Sequence, residues 1–223
     1  MSYTTVLFDL DGTLLDTLRD LRSSMNRALL SFGFPTHTLD EVRSYVGNGM
    51  KLFADRAVPA GTSEETTAAV LDAFRRDYAE HYADETAPYS GIPELLGELK
   101  KRGIKTAIVS NKGDFAVKLI AEKYFDGLVS LSRGEREGTP KKPAPDMVYA
   151  VMRELDADPA TTLFVGDSDV DFDTAVNADL DACLVDWGFR DRDLLESRLK
   201  SRPADRRGTV VSTAEELLRF ILS

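Results

Sequence analysis

The run Val6-Leu7-Phe8-Asp9-Leu10-Asp11-Gly12-Thr13 carries an apolar stretch straight into two carboxylates and a glycine. Side chains on a strand alternate with period two, so Asp9 and Asp11 leave the strand end in roughly one direction. Paired acids repel as both ionise, and burying them needs a cation or a shared proton. The pair is therefore a candidate metal site. Gly12 permits a turn that residues with a Cβ resist, and Thr13 adds a hydroxyl and a backbone amide close by. Asp-Gly is also ordinary turn chemistry, so the segment gains meaning only from what accompanies it.

Three further segments accompany it. Thr106-Ala107-Ile108-Val109 ends in Ser110-Asn111-Lys112, and Leu163-Phe164-Val165 ends in Gly166-Asp167-Ser168-Asp169-Val170-Asp171. Between them, Thr139-Pro140-Lys141-Lys142-Pro143-Ala144-Pro145-Asp146 opens a helical pattern from Met147 to Leu155. A hydroxyl, an amine and more carboxylates thus gather at the ends of separate elements. Ser110 and the amides after it can donate to a phosphate at a helix start, although a plain helix cap uses the same hydroxyl. Lys142 precedes a proline and is biased to extended backbone, from which its ammonium can reach an anion, although an exposed charge at Lys142 or the adjacent Lys141 has the same pattern.

The elements that position these residues follow from hydrophobic pattern. Strand-like apolar runs fall at about 4–9, 105–110, 127–131, 162–166 and 182–185, with helical stretches between the later ones. Strands alternating with helices predict a parallel α/β sheet covered on both faces, with ligands beyond the carboxyl ends of its strands. The stretch between the first two strands is far longer than one crossover helix and predicts an inserted helical domain. Leu18, Leu21, Met25, Ala28 or Leu29 and Phe32 repeat at helical spacing, as do Val70 or Leu71, Phe74, Tyr78 and Tyr82. Ser63 before Glu64 and Glu65 reads as a helix cap, and Gly47 and Gly49 interrupt a helical stretch over about 39–58. Residues 86–93 have the turn-rich composition of a boundary. The expected domains are a core of residues 1–15 and 91–223 and a helical cap of residues 16–90. In the cap, Gly47-Asn48-Gly49 can bring backbone close to a ligand, and Arg43 or Lys51 can meet a substrate carboxylate; a helix-helix turn with solvated basic residues has the same pattern.

Composition narrows the chemistry. The 223 residues are 43% hydrophobic and 30% charged, as in ordinary globular proteins, with a net charge of −10. Such a balance argues against nucleic acid and anionic membranes as partners, and leaves attraction for a phosphate to local groups such as Lys142 and a bound cation. No apolar run approaches the roughly 18 residues of a membrane span, and the first residues lack a secretory pattern, so a cytoplasmic location is expected. The single cysteine, Cys183, sits in an apolar run and reads as core. With only His37 and His81, both in polar surroundings, serine-hydrolase triads and histidine zinc sites lose support.

The order and spacing of the four motif segments resemble those of the haloacid dehalogenase superfamily, whose members are mostly magnesium-dependent phosphatases with an aspartate nucleophile. The segments Val46-Gly47-Asn48-Gly49-Met50-Lys51 and Asp186-Trp187-Gly188-Phe189-Arg190 are similar to the phosphoglycolate phosphatase subgroup. The resemblance implies a Rossmann-like doubly wound sheet of order 5-4-1-2-3 with Asp9 and Asp167 on neighbouring strands. It implies Asp9 as nucleophile, Asp11 as general acid and base, and Lys142 beside them. Mg2+ would be held by the Asp9 and Asp167 side chains and the Asp11 carbonyl, with Ser168 and Asp171 supporting the ligands or holding Lys142. Thr13, Ser110 and Asn111, with Arg43, Gly47, Gly49 and Lys51 of the cap, would contact the substrate. That substrate would be a small phosphorylated metabolite, best taken as 2-phosphoglycolate, and the protein a monomer or homodimer. Sugar-phosphate or nucleotide phosphatase, pyrophosphatase and β-phosphoglucomutase share the machinery, and a phosphometabolite-binding regulatory module is the non-enzymatic alternative. One departure is Asp179, where relatives often have glycine; aspartate tolerates positive φ, so the turn should persist.

Overall fold

Strand β1 (Thr5–Phe8) is buried along its whole length, which requires cover on both faces of the sheet. In the computed structural model, which describes residues 3–223, β1 lies between two parallel partners. These are β4 (Lys105–Gly113) and β6 (Thr162–Gly166). Beyond β4 lies β5 (Leu131–Glu135), and beyond β6 lie β7 (Asp181–Val185) and β8 (Gly208–Val211), giving the order β5-β4-β1-β6-β7-β8. Every pairing is parallel, so the strands deliver their carboxyl ends to one edge. The five-stranded order expected from the resemblance is present, and β8 extends it to six strands. That strand escaped the sequence reading because Gly208-Thr209-Val210-Val211 is a short edge segment with only two buried residues.

Leu7, Ala107, Val109, Phe164, Ala182 and Leu184 face one side, packed with Met147, Val151, Phe172 and Leu195. The alternate residues Val6, Phe8, Ile108, Val165 and Cys183 are equally buried and by the period-two rule face the other side. Truncating a core ring such as Phe164 to alanine should cost about 3–5 kcal/mol. The helices of this unit are α5 (Ile92–Lys101), α6 (Asp114–Phe125), α7 (Asp146–Leu155), α8 (Asp169–Asn177), α9 (Arg192–Leu199) and α10 (Ala214–Ile221).

Two expected boundaries shift. The third core strand runs over Leu131–Glu135 rather than 127–131, because an edge strand with one partner tolerates the polar Ser132, Arg133 and Glu135. Strand β4 continues through Ser110, Asn111 and Lys112 to Gly113, with its register against β5 broken between Val109 and Gly113. Ser110 therefore lies in the irregular end of a strand, and α6 starts only at Asp114.

The chain divides into two compact units, one of Met1–Leu15 with Pro88–Ser223 and one of Asp16–Ala87. The second unit consists of α1 (Leu18–Ser31), α2 (Leu39–Tyr45), α3 (Met50–Ala57) and α4 (Glu64–His81). Its core includes Met25, Leu29, Phe53, Phe74 and Tyr78, with Phe74 edge-on to Phe53 and stacked on Tyr78. Ser63 caps α4 by accepting from the Thr66 amide, and buried Asp20 holds the returning chain through the amides of Glu85 and Thr86. At the passages between the units, β2 (Leu15–Asp16) and β3 (Ala87–Pro88) form a separate two-stranded sheet. Among the described residues, no helix is long and apolar enough to cross a membrane.

Candidate active site

Three aspartates converge where β1 and β6 end side by side. Asp9 follows β1 and its amide donates to the Val165 carbonyl of β6 at 2.8 Å. Asp167 follows β6, and Asp171 lies in the first turn of α8, whose cap residue is Ser168. One carboxylate oxygen from each of Asp9, Asp167 and Asp171 lies within 4.8 Å of the others, and all three residues are buried. Lys142, buried in the connection before α7, places its ammonium 2.8 Å from Asp9 Oδ1 and 2.7 Å from Asp171 Oδ1. When all are ionised, three carboxylates face one ammonium, and two negative charges remain uncompensated in a site nearly closed to water.

The electrostatics register that imbalance. Burial, opposed by Lys142 and reinforced by the Asp171 and Asp11 carboxylates, pushes the Asp9 carboxyl up to about 7. Burial, with Asp171 and Asp9 adding to it, raises Asp167 well above the ordinary carboxylate range against the bond it receives from the Phe189 amide. For Lys142, burial works against the charged form, but Asp171 and Asp9 outweigh it and raise its pKa. Asp9 Oδ1 has the Lys142 ammonium as its neighbour, and with Asp167 and Asp171 it forms a buried carboxylate cluster carrying excess negative charge. Such an all-oxygen donor set fits a hard divalent cation such as Mg2+.

Asp171 is the most fully bonded of the three. Its Oδ2 accepts from the Asp167 amide, the Ser168 amide and the Ser168 hydroxyl at 3.2, 3.1 and 2.6 Å, while Oδ1 takes Lys142. With its oxygens so engaged, it serves better to hold Lys142 and the β6–α8 turn than to bind an ion. The Asp11 side chain lies outside this cluster, and both its oxygens accept from Lys112 Nζ, at 3.0 and 3.2 Å.

Other residues expected at the site take definite places. Ser110 is buried, and its hydroxyl accepts from the Lys112 amide at 3.2 Å. Asn111, expected among the substrate contacts, clamps the Lys142 backbone. It donates to the Lys142 carbonyl at 3.0 Å and accepts from the Lys142 amide at 2.8 Å. Thr13 is fully buried and its hydroxyl donates to Asp167 Oδ1 at 3.3 Å, which aims it at a carboxylate rather than at a ligand. In the helical unit, Arg43 lies on α2 and Lys51 on α3, where exposed Lys51 pairs with Asp55 at 3.1 Å. Gly47 and Gly49, at φ 107° and 90°, shape the turn between these helices. Elsewhere His37 bonds the Ala57 carbonyl, His81 pairs with Asp84, Cys183 is buried in β7 with its thiol pKa raised by burial, and Asp179 adopts φ 58°.

The profile of the haloacid dehalogenase-like hydrolases matches residues 6–185, from the start of β1 to the end of β7. The chain belongs to this family. It is 33% identical over 189 residues to a phosphoglycolate phosphatase of Aquifex aeolicus, covering 82% of this chain and 85% of that one. It is 30% identical over 224 residues to one of Mesorhizobium japonicum, covering 98% of each. Among solved structures, a Lactobacillus delbrueckii subsp. bulgaricus protein provisionally named a phosphoglycolate phosphatase superposes over 100% of both chains with a TM-score of 0.92 at 31% identity. The chain is thus a phosphoglycolate phosphatase-like hydrolase of the haloacid dehalogenase superfamily.

Four positions of the site were not singled out as functional by the sequence reading. Lys112 is one. The others lie just past the family match: the Phe189 amide donates to Asp167 Oδ2 at 2.7 Å, the Trp187 indole donates to the Thr13 carbonyl at 3.0 Å, and Gly188 passes against Asp167. A Cβ on Gly188 would stand 2.3 Å from the Gly12 carbonyl oxygen and 2.4 Å from Asp167 Cβ. The similarity of 186–190 to the subgroup was the available signal. Gly188→Ala is expected to displace Asp167, lowering kcat about 10–100-fold and stability by about 1–3 kcal/mol. Steady-state kinetics and thermal unfolding of that variant check this, and parent-like values for both would show that the contact is relieved at no cost.

Proposed function

We propose that this phosphoric monoester hydrolase is a magnesium-dependent phosphatase that cleaves a small phosphomonoester through an aspartyl phosphate on Asp9, with 2-phosphoglycolate as its substrate. The observation that carries the reading is the buried Asp9–Asp167–Asp171 cluster with Lys142 as its facing ammonium. The substrate rests on the relatives named phosphoglycolate phosphatase at 30–33% identity.

The Asp9 and Asp167 side chains with the Asp11 carbonyl would hold the ion, whose positive charge lets an anionic carboxylate approach an anionic phosphate. Asp9 attacks phosphorus as the ester P–O bond breaks, and Asp11 gives the departing alkoxide its proton. Asp11 then removes a proton from water, the water oxygen attacks the phosphoryl group, and inorganic phosphate leaves with the Asp9 carboxylate restored. Lys142, fixed by Asp171 and by the Asn111 clamp, keeps the nucleophile in place and adds positive charge beside the phosphoryl oxygens. The Ser110 hydroxyl would donate to those oxygens. The helical unit is proposed as a specificity cap, to which Arg43, Lys51 and the Gly47–Gly49 turn bring basic and backbone groups.

The test is phosphate release from a panel of phosphorylated metabolites with and without Mg2+, ranked by kcat/KM. 2-Phosphoglycolate should lead the panel, and no magnesium-stimulated release from any member would overturn the proposal. Asp11→Asn should slow turnover at least about a hundredfold, the range of general acid-base catalysis. A near-parental rate in that variant would remove Asp11 from its role.

A further inference from the structure

Away from the aspartate cluster, three arginines line one cavity. It has a volume of about 300 Å³, at the lower end of the range for small-molecule sites, and its lining includes Arg133, Arg136, Thr139, Asp146 and Arg153. Three guanidiniums thus meet one carboxylate in a chain whose net charge is −10. The fold gathers them from three places. Arg133 is on β5, Arg136 and Thr139 are on the segment that leads to Lys142, and Asp146 and Arg153 share one face of α7 at a spacing of i and i+7.

The donors of these arginines are only partly used. Among the described residues the Arg153 guanidinium has no partner, and Arg133 Nε is buried without an acceptor. Arg133 gives one Nη to half-exposed Glu154 at 2.6 Å, and Arg136 gives one to an Asp114 oxygen at 2.9 Å that Lys118 also approaches, at 3.1 Å. Surface pairs of this kind contribute little and leave the other guanidinium donors open. We propose that this cavity is a second anion site, built to take a phosphoryl group. Arginine forks match phosphoryl oxygens two at a time, and a dianion balances the two surplus positive charges of the lining, which a monoanion such as acetate does not. None of the residues assigned to phosphoryl transfer lines the cavity, so its ligand need not be the substrate.

The experiment is equilibrium binding of inorganic phosphate in EDTA at about pH 8, where phosphoryl groups are dianions, with the ionic strength held constant by chloride. Without a cation the Asp9–Asp167–Asp171 cluster keeps its surplus negative charge and repels phosphate, so the measurement reads the arginine cavity. One saturable site per chain is expected, with a dissociation constant of about 1 mM or below. Arg153→Gln removes a guanidinium on which no other group depends and should weaken binding about tenfold or more, the size of one charge-assisted contact. Arg75→Gln, which removes an exposed arginine paired with Asp72 on α4, should leave it unchanged. Glycerol 3-phosphate forms a second arm: tighter binding than phosphate assigns the site to a phosphomonoester, and equal or weaker binding to free phosphate. Sodium acetate should bind at least about tenfold more weakly than phosphate, and equal affinity would overturn the assignment to a phosphoryl group. No saturable phosphate binding by the parent up to about 10 mM, or the same affinity in Arg153→Gln as in the parent, would overturn the site itself. Equal weakening by Arg153→Gln and Arg75→Gln would overturn it too, as a diffuse effect of net charge.

Discussion

Asp9→Asn is expected to lower phosphate release by at least about ten-thousandfold, the scale seen when a nucleophile is removed from a site that otherwise stays assembled. The amide has the shape of the carboxyl but lacks the anionic oxygen that bonds to phosphorus in the proposed mechanism. The fold should survive. The Asp9 amide, which ties β1 to β6, is unaffected, and Lys142 retains Asp171 at 2.7 Å. Replacing it with an amide also removes a carboxyl that burial, reinforced by the Asp171 and Asp11 carboxylates, pushes up to about 7. Unfolding in metal-free buffer should therefore occur within a few degrees of the parent or above it. Turnover above about one hundredth of the parental rate would show that phosphorus is attacked by something else.

The second large effect concerns the ion. Chelation with EDTA should reduce turnover by at least about a thousandfold, and Mg2+ should restore it, because several kcal/mol of charge stabilisation are withdrawn at once. Stability should report the same coupling in the opposite pH sense from an ordinary salt-bridged acid. Asp9 and Asp167 have folded-state pKa values above those of free carboxylates, so the folded chain binds more protons than the unfolded chain as the pH rises from about 4 to 7. The contribution of these groups to stability is thus greatest at low pH and falls as they ionise. Mg2+ competes with those protons, and its benefit should be larger at pH 7.5 than at pH 5.5. At about a hundred times its dissociation constant it should add about 2.7 kcal/mol, or about 5–10 °C in Tm for a chain of this size. Equal Mg2+ shifts at the two pH values would separate the ion from the Asp9–Asp167 cluster.

Much of this arrangement was legible in the chain itself. An apolar run ending in Asp9-Leu10-Asp11-Gly12 and another ending in Gly166-Asp167 are local patterns, and a parallel sheet brings strand ends together by rule. Lys142 carried its own mark in the prolines around it. What stayed hidden depends on contacts with no local pattern. Nothing around Asn111 says that its amide will close on the Lys142 backbone, and nothing around Lys112 says that it will fold under Asp11, far away in sequence. The edge strands were misjudged or missed for a different reason: β5 and β8 lie at the margins of the sheet, where a strand need not be apolar.

The profile match ends at residue 185, and the brace on Asp167 begins two positions later. Trp187 holds the loop after Asp11 through the Thr13 carbonyl and Phe189 holds the Asp167 carboxylate, and Gly188 leaves no room between them for so much as a methyl group. A relative with every signature acid and lysine in order can therefore lose most of its activity through a single exchange in this short segment, and judging such a chain means looking past the end of the profile match.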